Sequence, residues 1–364
     1  MTEVLTATPS VRTPVRARML LLALGGASLL AGLDAALLLA GLPAPVTVDR
    51  LEEVHGPLMV LGFLATLIAL ERAVALRRRW AYLSPAFLGA GGLLLLSPLP
   101  VAVGHAVQFA GTVVLVAIYR SLATRALSIP LSIQWLGAVM AAGAAALWWI
   151  GVPSPSVLPF LTGFLVLTIA GERLELARIA GPSEAAQRVL LGLAAGTLLT
   201  ACGALLWPVA GGAAFGLALL GIAAWLVRFD VATRLVHASG LPRYVAVNLV
   251  AGLVWLAVAG VTWLLWGAGD DGPAYDIAIH AIGLGFAMSM VLAHAPVILP
   301  AVLRRPLPYR PVLYVATVAL QVSLLARVLA DVRDLPGVWE AGAAVNVLAV
   351  LGFVVISAGL VIRK

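Results

Sequence analysis

Four of the five histidines, His55, His105, His280 and His294, fall inside or at the edge of long apolar runs. Ionisable groups there are costly in a bilayer, so they serve a function or sit in a buried pair. His55 and His105 open their runs from one side of the membrane. His280 lies about two turns inside a run that starts on that same side. Three imidazoles therefore share one layer. Neutral imidazoles from two facing helices can hold a six-coordinate haem iron. Three imidazoles can instead hold copper or zinc. Asp34, Gln108, Tyr275 and Asp276 lie at comparable depth, where a carboxylate can orient a ligating ring. The competing reading makes each histidine a helix-end residue bonded to a nearby carbonyl or carboxylate.

His280 and His294 lie within about 40° of one helix face but about 21 Å apart along the axis, so one metal cannot use both. His294, beside Pro296 and Pro300, reads as a polar packing or gating residue at a kink. His237 sits in a basic loop and reads as solvated. Two carboxylate–guanidinium doublets, Glu71-Arg72 and Glu172-Arg173, close their apolar runs at the opposite end. They predict an ion-pair collar between two helices, with the arginines snorkelling to the interface. The functional alternative is a proton uptake point or an anion contact.

The elements that place these groups are membrane helices. Hydrophobic residues make up 62% of the chain and charged residues 11%, with a mean hydropathy of +1.08. That excludes a soluble core and points to an all-α, multi-pass protein in a lipid bilayer. Twelve apolar spans are expected, at 18–42, 54–76, 80–101, 103–124, 127–151, 154–177, 185–208, 210–228, 241–267, 273–301, 309–330 and 339–362. Residues 1–17, polar and rich in Thr and Pro, read as a disordered cytoplasmic tail. Residues 18–364 then form one twelve-helix domain. The pattern Gly62-Phe63-Leu64 followed by Glu71-Arg72 recurs as Gly163-Phe164-Leu165 followed by Glu172-Arg173. A partial copy, Gly285-Phe286, leads at the same spacing to His294. The copies fall on helices 2, 6 and 10, so the chain reads as three pseudo-repeated four-helix units.

The net charge of +7 comes almost wholly from arginine. These residues are scattered in short groups between apolar runs, which fits topology signals and not a nucleic-acid surface. Twenty basic residues fall on one side and only Arg50, Arg327 and Arg333 on the other. The expected orientation puts both termini in the cytoplasm, in the inner membrane of a bacterium. The single cysteine, Cys202, excludes an internal disulfide and a Cys-based metal cage.

Twelve helices in three units, with histidines on helices 2 and 10 entering from the outer side, resemble subunit I of the haem–copper oxidase superfamily. The segment His55-Gly56-Pro57-Leu58-Met59 is similar to its helix-2 haem-ligand motif. That resemblance implies a haem b held by His55 and His280. Helix 6 has no histidine, helix 7 has no histidine pair, and His280 stands alone where the oxidases carry His-x-His. A complete binuclear centre is therefore not expected. The chain also resembles NnrS, a family of twelve-helix bacterial membrane proteins linked to nitric oxide stress and to haem and copper. HGPLMVLGF is similar to the first NnrS motif, with Gly56 to Leu58 replacing its second His and its Glu. The stretch from His280 to His294 is similar to its second His-rich region, with different spacing. The resemblance implies a haem-binding protein of nitric oxide stress or electron transfer, working with an electron-transfer partner or another membrane subunit. The competing classes are a small-solute or ion transporter, with His294 and the Glu-Arg doublets along its path, and a cofactor-free scaffold.

Overall fold

The computed structural model describes residues 15–177 and 181–362. Among them there is no strand. Backbone N–H and C=O groups in hydrocarbon must be satisfied within their own segment, and apolar runs of this length can do so only as helices. Eleven helices are long and apolar enough to cross a membrane. We label them α1 (Val15–Leu39), α2 (Arg50–Leu76), α4 (Val101–Ala123), α5 (Ile129–Trp149), α6 (Ser154–Leu176), α7 (Glu184–Leu206), α8 (Pro208–Phe229), α9 (Gly240–Trp266), α10 (Gly272–Pro300), α11 (Leu313–Arg333) and α12 (Pro336–Ile362).

The remaining expected span, 80–101, is shorter. A 3₁₀ turn at Arg79–Tyr82 leads into α3, Leu83–Leu95. Two contacts show that α3 still crosses the bundle. Arg125 Nη2 donates to the Leu76 carbonyl at 3.3 Å, so the ends of α4 and α2 lie together. Arg50 donates to the Ser97 carbonyl, so the segment after α3 lies beside the start of α2. Helix α3 thus runs between opposite ends of the bundle, but at 13 residues it is not among the eleven helices long enough to cross a membrane. Helix α1 begins at Val15, earlier than the sequence predicts. The rest of the expected tail, residues 1–14, lies outside the described residues, as do Arg363 and Lys364.

The three units are visible in burial. The second helix of each is its most buried long helix: 56% for α2, 78% for α6 and 61% for α10 over their most apolar windows. Units meet edge to edge through α4 with α5, α8 with α9, and α12 with α1. Helix α10 touches both α2 and α6, so the three inner helices surround the centre.

The repeat extends into the backbone, but not as its letters suggest. Leu58–Ala65 in α2 and Ala281–Met288 in α10 are π-helical. Gly62-Phe63 and Gly285-Phe286 take the fifth and sixth places of those segments. Helix α6, the better sequence match to α2, is α-helical throughout. Proline alone does not explain the difference, because Pro159 inside α6 also removes a backbone donor. The π segments instead accompany the histidines: each begins within three residues after His55 or His280, and α6 has none. Wide turns of this kind are rare and concentrate at functional sites.

Close packing at the first unit depends on missing side chains. A Cβ placed on Gly92 would meet Ser28 Oγ and lie 3.3 Å from Gly62 Cα, while Gly26 faces open space. Gly92→Leu therefore forces α3 off α2 and α1, at a cost of about 1–3 kcal/mol or more. Thermal unfolding in detergent should show a lowered midpoint for Gly92→Leu and little change for Gly26→Leu.

Candidate functional site

His55 and His280 line one cavity at the centre of the bundle. Its wall combines α1, α2, α5, α6, α10, α11 and α12, so every unit contributes. The two rings lie within electrostatic reach of each other. His55 Nδ1 lies 2.9 Å from the Gly32 carbonyl of α1. His280 Nδ1 lies 3.0 Å from the Asp276 carbonyl and 3.1 Å from its carboxylate. Every one of these partners is an acceptor, so Nδ1 carries the proton in both rings. In the neutral form of each ring Nε2 keeps its lone pair. A held Nδ1–H with a free Nε2 is how ligating imidazoles are oriented and made more basic.

The His280 side is braced further. Arg327 of α11 grips the Asp276 carboxylate with two bonds, 2.9 and 2.6 Å. Trp339 of α12 donates Nε1 to the same carboxylate at 3.3 Å, and its ring lies 4.4 Å from the guanidinium carbon. One carboxylate thus joins α10, α11 and α12 behind the His280 ring.

The third expected ligand is elsewhere. His105 is buried and stacks on Trp148 with centroids 5.9 Å apart, and it does not line the cavity. The three-imidazole centre predicted from His55, His105 and His280 is not assembled: among the described residues no group of three or more His, Cys, Asp or Glu is placed to hold a metal ion. A shared depth in the membrane does not set the direction around the helix axis. Asp34 also points elsewhere. Its carboxylate accepts the Val46 N–H at 3.2 Å and lines a neighbouring cavity of about 460 Å³, of which Leu33 and Val347 form the shared wall. Gln108 donates to the Pro57 carbonyl at 3.3 Å, at the start of the π segment of α2. His294 Nδ1 bonds the Met290 carbonyl one turn back at 2.8 Å, and its buried Nε2 has no partner among the described residues.

The expected Glu-Arg collar is replaced by a different pairing. Arg72 bonds its neighbour Glu71 at 2.7 Å and Gln134 of α5 at 3.3 Å. Gln134 in turn donates to Glu175 of α6 at 3.3 Å. Arg173 does not pair with Glu172 or Glu71. It makes two 2.7 Å bonds to Asp230, buried just after α8. The link between α2 and α6 therefore passes through an amide on α5. Asp230, Gln134, Glu175 and Tyr119 were not singled out as site residues from sequence. A polar Gln inside an otherwise apolar run was the available signal for Gln134. Arg327, within an apolar run on the acidic side, was the signal for its pairing with Asp276.

A three-unit bundle of membrane helices, with a histidine from the inner helix of the first unit and one from that of the third facing one cavity, defines the class. The chain belongs to the family described as domain of unknown function DUF8744, whose model matches residues 18–362. No curated protein and no solved structure matches it.

The Asp276–Arg327 pair is well shielded, with side chains 20% and 8% exposed. Removing one partner leaves the other charge buried, which costs about 3–5 kcal/mol in such pairs. Asp276→Ala and Arg327→Ala should each lower the unfolding midpoint. The double substitution should cost clearly less than the sum of the two, as a double-mutant cycle would show.

Proposed function

We propose that this protein binds haem b between His55 and His280 and serves as a one-electron redox protein in a bacterial cytoplasmic membrane. The reading rests on one observation: two histidines from different units line the same cavity, each with Nδ1–H held by an acceptor. The donor set fits the cofactor, since neutral imidazoles are the ligands a low-spin haem takes. The haem would supply reversible one-electron chemistry at its iron. The chain's own part is to hold the rings and keep water out. The Gly32 carbonyl fixes the tautomer of His55, and Asp276, anchored by Arg327, fixes that of His280. Leu33, Phe63, Leu161 and Leu165 supply an apolar wall, which tunes potential by excluding solvent. With both His55 and His280 as ligands the iron would have no open position for a substrate, which favours electron transfer with a protein or membrane partner. The link to nitric oxide stress and the alternative of copper come from the NnrS resemblance alone. The arginine-rich ends support cytoplasmic termini.

The cavity holds about 110 Å³, less than an engineered 150 Å³ cavity that admits benzene. Accepting a porphyrin requires wall side chains to turn outward, foremost the flexible Met59. The small volume favours a second reading, a transporter of a small solute or ion through the same cavity.

Absorption spectra of the detergent-purified protein, expressed with haem supply, decide between them. Wild type should show a haem b spectrum that sharpens on reduction with dithionite. His55→Ala and His280→Ala should each lose the six-coordinate low-spin form. A colourless wild type overturns the haem reading and leaves transport or scaffolding.

A further inference from the structure

A second polar centre lies at the far end of the inner helices, where α2 and α6 finish. There Arg72 bonds Glu71 at 2.7 Å and is linked to Glu175 through Gln134, and Glu172 also acts on it electrostatically. Arg173, the other cation that the sequence puts beside them, is committed to Asp230. Arg125 of α4 is turned to the Leu76 carbonyl. His294 of α10 is bonded to its own helix through Nδ1. Among the described residues, Arg72 is the cation that these three carboxylates engage.

An independent observation points to what this centre holds. Tyr119 of α4 is fully buried, and its hydroxyl has no hydrogen-bond partner. It lies within electrostatic reach of Arg72 and of all three carboxylates. A buried hydroxyl without a partner is costly unless something else completes it. Thr168, one turn from Glu172 on the same face of α6, is a second buried hydroxyl in that state. The groups are also graded in depth. Glu175 is exposed, Glu71 and Glu172 are half-buried, and Tyr119 is inside. Hydrogen bonds run from Glu71 through Arg72 and Gln134 to Glu175, and carboxylates beside a buried hydroxyl that lacks a partner are groups that bind and pass a proton.

We propose that Glu71, Glu172 and Glu175, together with the Tyr119 hydroxyl, form a proton-binding site open to the aqueous phase at this end of the bundle. A proton taken from water at Glu175 is shared among the carboxylates and reduces their mutual repulsion. Tyr119 then sits where a proton, or the water carrying it, is passed inward. Nothing in this centre depends on haem. The two readings therefore stand or fall separately.

Infrared spectra of the full-length purified protein, recorded in H₂O and D₂O over a pH titration, test it. Wild type should show the carbonyl stretch of a protonated, deuterium-exchanging carboxylic acid. Its amplitude should fall at least about twofold in Glu71→Gln and in Glu172→Gln. Tyr119→Phe keeps the ring packing but removes the hydroxyl offered to the incoming proton or the water carrying it, and should displace the titration midpoint by about one pH unit, the worth of one hydrogen bond to that guest. The absence of such a band in wild type overturns the proposal. So does a band unchanged in both glutamine variants, or, if those fail to fold, an unmoved midpoint in Tyr119→Phe. The same band in a colourless His55→Ala protein supports the proton site, whatever the fate of the haem reading.

Discussion

The hydrocarbon interior offers polar atoms nothing to bond with. Every backbone group must be satisfied within its helix, and a buried side-chain polar atom left without a partner is costly. That constraint accounts for the eleven membrane-spanning helices among the described residues, beside which the short α3 runs between the two ends of the bundle. It also accounts for the pairs that brace the structure. Asp276 with Arg327, and Arg173 with Asp230, each use both carboxylate oxygens. These two ion pairs join helices that are far apart in sequence.

The inner helices divide the labour along their length. Near one end, α2 and α10 each place a histidine just before a π segment, and α6 supplies a plain helical wall. Near the other, α2 and α6 place carboxylates, and α10 has His294 at the equivalent position. A threefold repeat thus becomes two different centres by small local changes. The π segments mark the helices that carry the upper centre, and the Glu-Arg doublets mark those that carry the lower one.

The departures from simple pairing share one cause. An adjacent Glu and Arg point about 100° apart around a helix, so Glu172 and Arg173 reach different neighbours. Arg173 finds Asp230 just after α8, and Glu172 acts electrostatically on Arg72 of α2. His105 and His55 differ in the same way: they lie at similar depth, but His105 turns toward Trp148.

Composition and hydropathy alone determined the class of protein and, in all but one of the expected spans, its membrane helices, and the recurring Gly-Phe pattern gave the grouping into three units. Those follow from how much apolar length the chain has and where it is interrupted, and the bilayer leaves a helix as the only outcome. The depth of His55, His280 and the Glu-Arg doublets was legible for the same reason, since rise per residue converts position into depth. Azimuth was not legible, because it depends on how each helix is rotated against its neighbours. Only the tertiary structure showed His55 and His280 on one cavity, His105 off it, Arg173 on Asp230, and the π turns following the histidines. Depth is a sum along one chain; direction is decided by packing between helices.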